Sequence, residues 1–213
     1  MANQKPILIA GPPRSGTTML AGLIGKHSVW VGRSRTTMYS GTNPEFGSEN
    51  IDIKYLMKQE AKKAGYKNWT IPLPKWNIDV NKLKDEIELN ILPDKQKWLI
   101  KTSWTLIFWE FWNAAYPDAY WIFPVRPFVG ILDSINRHPS MRRRPTAMKS
   151  GFVRSLHKRQ KEIHSIVNKG LFVNVNRIAK KDKGEINKLF DFLNIELNWN
   201  IVESWIDPDL MKM

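Results

Sequence analysis

The chain has 213 residues, 42% of them hydrophobic and 25% charged, which is enough apolar material for one domain with a sizeable core and too much for a disordered chain. It has no cysteine, which excludes a disulfide framework, a thiol nucleophile and a cysteine-ligated metal, and no apolar run approaches the roughly 20 residues of a membrane span. The formal net charge of +13 calls for an anionic partner.

Near the N-terminus one lysine precedes a four-residue apolar run, too short for a signal peptide, so a cytoplasmic location is expected. Strand-like runs fall at residues 5–10, 29–31, 98–101, 120–125 and 171–175. Helical periodicity falls at 17–26, 50–64, 80–90, 106–115, 128–137, 152–168 and 183–194. Strands alternating with helices predict an α/β fold, a central parallel sheet of about five strands flanked by helices. No repeat or Gly/Ser linker divides residues 1–213, so a single domain is expected. An insertion is expected at 65–97, where Pro72, Pro74 and Pro93 interrupt the pattern.

The first strand leads into Gly11-Pro12-Pro13-Arg14-Ser15-Gly16-Thr17-Thr18 and then a helix. Strand, glycine loop and hydroxyl-led helix make a phosphate cradle, because loop N–H groups and a helix N-terminus converge on one anion. The spacing from Gly11 to Gly16 fits a nucleotide-phosphate loop. A nucleoside triphosphatase, however, carries lysine where this chain has Thr17. The positive charge is Arg14, inside the loop. A second cation, Arg126, follows the strand at 120–125 at the sheet edge where α/β ligands bind. There a triphosphatase would usually hold magnesium with an aspartate.

Residues 11–20 resemble the 5′-phosphosulfate loop of sulfotransferases, which use 3′-phosphoadenosine 5′-phosphosulfate as sulfuryl donor. Arg126 and, eight residues on, Ser134 resemble that family's 3′-phosphate site. Lys97-Trp-Leu-Ile-Lys-Thr-Ser-Trp resembles its strand ending in a lysine before the acceptor pocket. The likeness covers most of the chain and is strongest at 5–24 and 97–137. It implies a P-loop-type fold in which Arg14 grips the phosphosulfate and Ser15, Gly16, Thr17 and Thr18 bind the 5′-phosphate. It also implies that Arg126 and Ser134 hold the 3′-phosphate and that Lys101 stabilises the leaving group. The implied reaction passes a sulfuryl group to a hydroxyl or amine, releasing adenosine 3′,5′-bisphosphate, with cationic side chains in place of a metal. The alternative is a non-catalytic nucleotide- or polyanion-binding protein on the same fold.

Several places depart from the family. Small-molecule members have Lys-Thr-His with the histidine as general base, and here that position is Ser103. Another branch takes a glutamate after the first helix. By that likeness Glu49 is the base and Glu45 its runner-up, although Gly47 falls one place late; Glu49 also suits a plain dipole role before the helix at 50. Val175-Asn176-Arg177-Ile178 replaces the family's Tyr-Glu-Asp-Leu, so no adenine contact carries over. The tail at 187–210 resembles the closing helix of single-domain members.

The histidines read as structural or surface groups: His27 ends the first helix, where an imidazolium suits the dipole, and His138, His157 and His164 lie in or near a basic block. Trp104, Phe108 and Trp112 share a helix face and read as core. Trp69 and Trp76 suit either stacking on an acceptor or a lid surface. Residues 137–161 hold nine Lys and Arg and no Asp or Glu. Such a block fits the donor's extra phosphate, a polyanionic acceptor, nucleic acid (the less favoured partner) or a solvated helix face. The acceptor is expected to be a carbohydrate or another hydroxylated or anionic molecule.

If Glu49 accepts the acceptor proton, Glu49→Gln should fold and bind the bisphosphate normally yet lose roughly 100-fold or more in turnover. A stability loss with activity intact would assign Glu49 to the helix start instead.

Overall fold

In the computed structural model, described at residues 5–32, 50–66, 77–92, 97–102, 104–138 and 141–207, four parallel strands form the centre. They are β1 (Ile7–Ile9), β2 (Leu99–Lys101), β3 (Tyr120–Val125) and β4 (Gly170–Asn174), in the order β2-β1-β3-β4. The register pairs Leu8 with Ile100 on one side and with Trp121 on the other. The expected strand at 29–31 reduces to one bridge, Trp30 to Trp98, beside β2. The sheet therefore has four strands where about five were expected. Only the Trp30 N–H, to Lys97 O, and the Trp30 carbonyl, from Leu99 N–H, make that edge contact.

β1, β2 and the middle of β3 are buried on both faces, β4 at the sheet edge only in part, and the period of two divides their side chains. Leu8, Ile100, Trp121 and Phe123 face one core layer. It is built by α2 (Ile51–Lys63), α3 (Val80–Asn90), α4 (Trp104–Ile107), α5 (Trp109–Ala115) and part of α7 (Thr146–His164). Ile7, Ile9, Leu99, Ile122 and Val173 face the other layer. There α1 (Thr17–Gly25), α8 (Val175–Ala179), α9 (Lys183–Leu193) and α10 (Trp199–Trp205) pack. A tenth helix, α6 (Phe128–Arg137), packs Ile131 and Ile135 against Val153 of α7. Within 65–97, α3 puts Leu83 and Ile87 into the first layer. No helix among the described residues is long and apolar enough to cross a membrane.

Local chemistry explains the boundaries. Asn50 caps α2 by accepting from Asp52 N and Ile53 N. The expected helix at 106–115 begins at Trp104 and breaks at Phe108, while Trp104, Phe108 and Trp112 are all buried, as core residues should be. Helix α7 starts six residues before the expected 152, because its first turns are polar and carry no apolar stripe; Pro145 sets its start. His27 ends α1 as a structural clip: its Nδ1 meets Leu23 O at 2.8 Å and its Nε2 accepts from Asn198 N–H at 3.1 Å. Those two bonds tie α1 to α10.

Strand β1 leaves the sheet after Ala10, whose N–H still donates to Ile122 O, whereas β3 continues to Val125. Two residues beyond Ile122, Pro124 faces the side that β1 has vacated, so its missing N–H costs no ladder bond. The carbonyls of Ala10 and Pro124 are met instead by Gln160 of α7, 3% exposed, whose Nε2 donates to them at 2.8 and 3.2 Å. One side-chain amide thus takes the place of the missing strand pairing where the loop departs. Gln160→Leu leaves two buried carbonyls without a donor and should cost about 1–3 kcal/mol in denaturant unfolding; a loss within 0.3 kcal/mol, roughly the additivity error, would contradict this role.

Candidate functional site

The chain order places β2 on one side of β1 and β3 on the other, so the carboxyl end of β1 lies at the point where the strand order reverses. The loop of residues 11–16 emerges there. Ser15 closes it: both its N–H and its Oγ reach Pro12 O, at 3.2 and 2.7 Å, and the residue is fully buried. The Ser15 hydroxyl proton is therefore committed to shaping the loop. Arg14 and Gly16, on either side, both have left-handed backbones, φ 67° and 87°. Arginine in that conformation costs about 1–2 kcal/mol. The alternation curls successive N–H groups toward one point, as in anion nests. Gly16 is required twice over, since a Cβ would also lie 2.2 Å from Val175 Cγ1.

Helix α1 opens on this loop with Gly16 as its cap, which offers no side-chain acceptor to the first-turn N–H groups. Helices α2, α3, α8, α9 and α10 are capped by Asn50, Asp79, Asn174, Asp182 and Asn198. The start of α1, through Thr17 and Thr18, is left open to an anion.

Cations from three elements converge here. Arg14 Nε donates to Ser134 Oγ of α6 at 2.9 Å, and Ser134 is 2% exposed. Arg126, just past β3, donates from Nη1 to Arg14 O at 3.1 Å. Lys101, the last residue of β2, donates from Nζ to Thr18 Oγ1 at 2.9 Å. Residues 14, 18, 101, 126 and 134 are thus brought into one cluster from sequence separations as large as 120 residues.

Burial, then the neighbouring Arg126 and Arg137, lower the Arg14 pKa below the usual guanidinium range. Burial and Arg137 do the same to Arg126, against a smaller opposing effect from Asp133. Among the described residues no carboxylate forms an ion pair with Arg14 or Arg126. Cations that repel one another in a half-buried cleft with no paired acid are arranged for an incoming anion.

Two contributors, His138 and Gln160, escaped the sequence reading, which offered Arg137 only within the basic block. Arg137 ends α6 three residues after Ser134, and His138 follows as its cap. His138 is held below its ordinary pKa by burial and by Arg14. Gln160 is joined to the loop only through the tertiary fold. Glu49, Glu45, Ser103, Trp69 and Trp76 lie outside the described residues.

Beside Arg126 is a cleft of about 310 Å³, walled by Pro127 on one side and by Asn174, Asn176, Arg177 and Lys180 on the other. Arg177 is fixed there by Asp182 and Glu185, at 3.0 and 3.4 Å.

A phosphate-type loop with its cation at Arg14, threonine where triphosphatases carry lysine, and Arg126 where they hold magnesium with an aspartate marks an α/β protein whose site suits polyoxygenated anions met by cationic side chains. The model of the Sulfotransferase family matches residues 6–200, and the chain belongs to that family. No curated protein matches the sequence. Among solved structures, the sulfotransferase domain of the Synechococcus PCC 7002 olefin synthase is 14% identical with a TM-score of 0.59, covering 100% of this chain and 85% of that one. The sulfotransferase domain from the curacin biosynthetic pathway is 15% identical with a TM-score of 0.60, covering 98% and 80%. Sulfotransferase STF9 from Mycobacterium avium is 13% identical with a TM-score of 0.52, covering 97% and 67%. These likenesses establish the fold.

An anion on Arg14 and Ser134 would offset the effect of Arg14 on His138 and raise the His138 pKa. Binding then takes up a proton, so affinity rises as pH falls between the two values, by up to about tenfold per pH unit. Sulfate, which does not titrate in this range, should show that rise by calorimetry between pH 8 and 5.5, and His138→Gln should flatten it. Superimposable profiles would exclude His138 from the site.

Proposed function

We propose that this protein transfers a sulfuryl group from 3′-phosphoadenosine 5′-phosphosulfate to a hydroxyl or amine of its acceptor by in-line displacement. The observation that carries the reading is the convergence of Arg14, Lys101, Arg126 and Ser134 on the uncapped start of α1. These groups suit the donor: several cations, an open helix N-terminus and a glycine that lets Val175 back the loop. When bound, the donor supplies the sulfuryl group and leaves as adenosine 3′,5′-bisphosphate.

In this reading the N–H groups from Gly16 to Thr18 and the threonine hydroxyls hold the 5′-phosphate, within the turn that Ser15 fixes. Arg126 and Ser134 hold the 3′-phosphate; the planar guanidinium suits paired phosphate oxygens. Arg14 leaves Ser134 Oγ to reach the sulfate. Lys101 sits at the end of β2, its ammonium held by Thr18 Oγ1 beside the helix start. There it opposes charge developing on the leaving oxygen. Arg137 strengthens the field at Arg14 and Arg126. Glu49 takes the proton from the acceptor, in a cytoplasmic reaction. Positioning and fixed positive charge supply most of the rate, as in phosphoryl transfer. The acceptor is a carbohydrate or another hydroxylated or anionic molecule.

Adenosine 3′,5′-bisphosphate should raise the melting temperature without added metal, and 5′-AMP much less, because AMP leaves Arg126 and Ser134 without a phosphate. Arg126→Ala should erase most of that difference. Equal stabilisation of the native protein by both nucleotides would overturn the donor assignment.

A further inference from the structure

The basic block at 137–161 divides in space. Arg137 turns toward the donor loop, where it acts on both Arg14 and Arg126. Arg142, Arg143, Arg154, Lys158 and Lys161 are exposed on the turn after α6 and along α7. Among the described residues Arg142, Arg143 and Arg154 have no carboxylate partner, and the one ion pair of the segment is Lys158 to Glu162, at 3.8 Å.

This surface is built. Lys149 of α7 is 3% exposed, and its Nζ donates to Asn136 Oδ1 of α6 at 2.5 Å and to Arg142 O at 3.4 Å. A buried ammonium bonded only to neutral oxygens costs stability. Here it fastens the arginine turn to α6 and adds its own positive field. The guanidinium of Arg154 lies 5.2 Å from the Phe128 ring centre. Phe128 opens α6 two residues after Arg126, so the exposed cations reach the donor site, with Asp133 the one acidic side chain of α6.

Resting on the sulfotransferase reading above, we infer that this surface docks the acceptor, and that the acceptor is an acidic polysaccharide. A polymer with recurring carboxylates or sulfates meets cations spread over two helices, and its hydroxyls supply the nucleophile at the adjoining site. The large exposed apolar side chains of these two helices, Val129 at 67% and Met148 at 42%, are aliphatic, and Arg154 covers Phe128. Aromatic platforms for stacking single-stranded bases are therefore missing from this surface among the described residues. Duplex DNA has no free hydroxyl along its length to accept the group.

The test uses the full chain saturated with adenosine 3′,5′-bisphosphate, so that the donor site is filled. Binding of polygalacturonate, neutral dextran, duplex DNA and duplex RNA is followed by anisotropy at 50 and 200 mM NaCl. Polygalacturonate should bind, and weaken about tenfold between the two salts, the change for two or so released counterions. Dextran should not bind. Arg142→Glu with Arg143→Glu should weaken polygalacturonate at least tenfold and leave the bisphosphate melting shift unchanged. Loss of polygalacturonate binding when bisphosphate is added would assign the block to the donor and overturn the inference. So would unaltered binding by the double variant, or tenfold tighter binding of either nucleic acid. None of these touches the preference for bisphosphate over AMP, whose own failure would sink the donor reading alone.

Discussion

The organising constraint is the mutual repulsion of Arg14, Arg126 and Arg137 at the carboxyl ends of β1 and β3. Burial and like charge oppose the ionised form of Arg14 and Arg126, and the Arg14 backbone sits in a left-handed conformation that non-glycine residues avoid. Neither cost is met by a carboxylate ion pair among the described residues. An anion relieves both at once: it neutralises the guanidiniums and accepts from the N–H groups that the left-handed residues turn inward. The rest of the fold holds this arrangement in place.

How it does so follows from topology. A parallel sheet whose order reverses at β1 opens a gap between β1 and β3, and the loop fills it. Gln160 satisfies the two carbonyls exposed by that divergence, Val175 backs Gly16, and Ser15 is spent on the turn. Helix α7 therefore serves two ends: one turn braces the loop, and its exposed side carries cations outward. A substitution in α7 can therefore disturb the loop from outside it.

The parts legible in the sequence were those set by local pattern. Runs such as Ile7–Ile9 and Tyr120–Val125 are buried on both faces, so apolar composition alone marks them. The loop and the Arg126–Ser134 spacing are short-range, and the expected cluster of Arg14, Lys101, Arg126 and Ser134 is assembled in space. What sequence missed depends on distant contacts. The run at 29–31 has strand composition but finds only one bridging residue at the sheet edge. The first buried residue of α7 is Lys149, bonded to Asn136 of α6, so no apolar periodicity marks the helix start. Gln160 looks like any polar helix residue until Ala10 and Pro124, 150 and 36 positions away, are brought to it. Ser15, expected at the 5′-phosphate, spends its hydroxyl proton on Pro12 O within the loop, a bond that local pattern does not record.

The most direct measurement is a crystal structure of the protein with adenosine 3′,5′-bisphosphate. The account predicts the 5′-phosphate on the N–H groups of Gly16 to Thr18, with Lys101 beside it, and the 3′-phosphate between Arg126 and Ser134. A nucleotide bound with those phosphates exchanged, or bound away from the Arg14 loop, would contradict it.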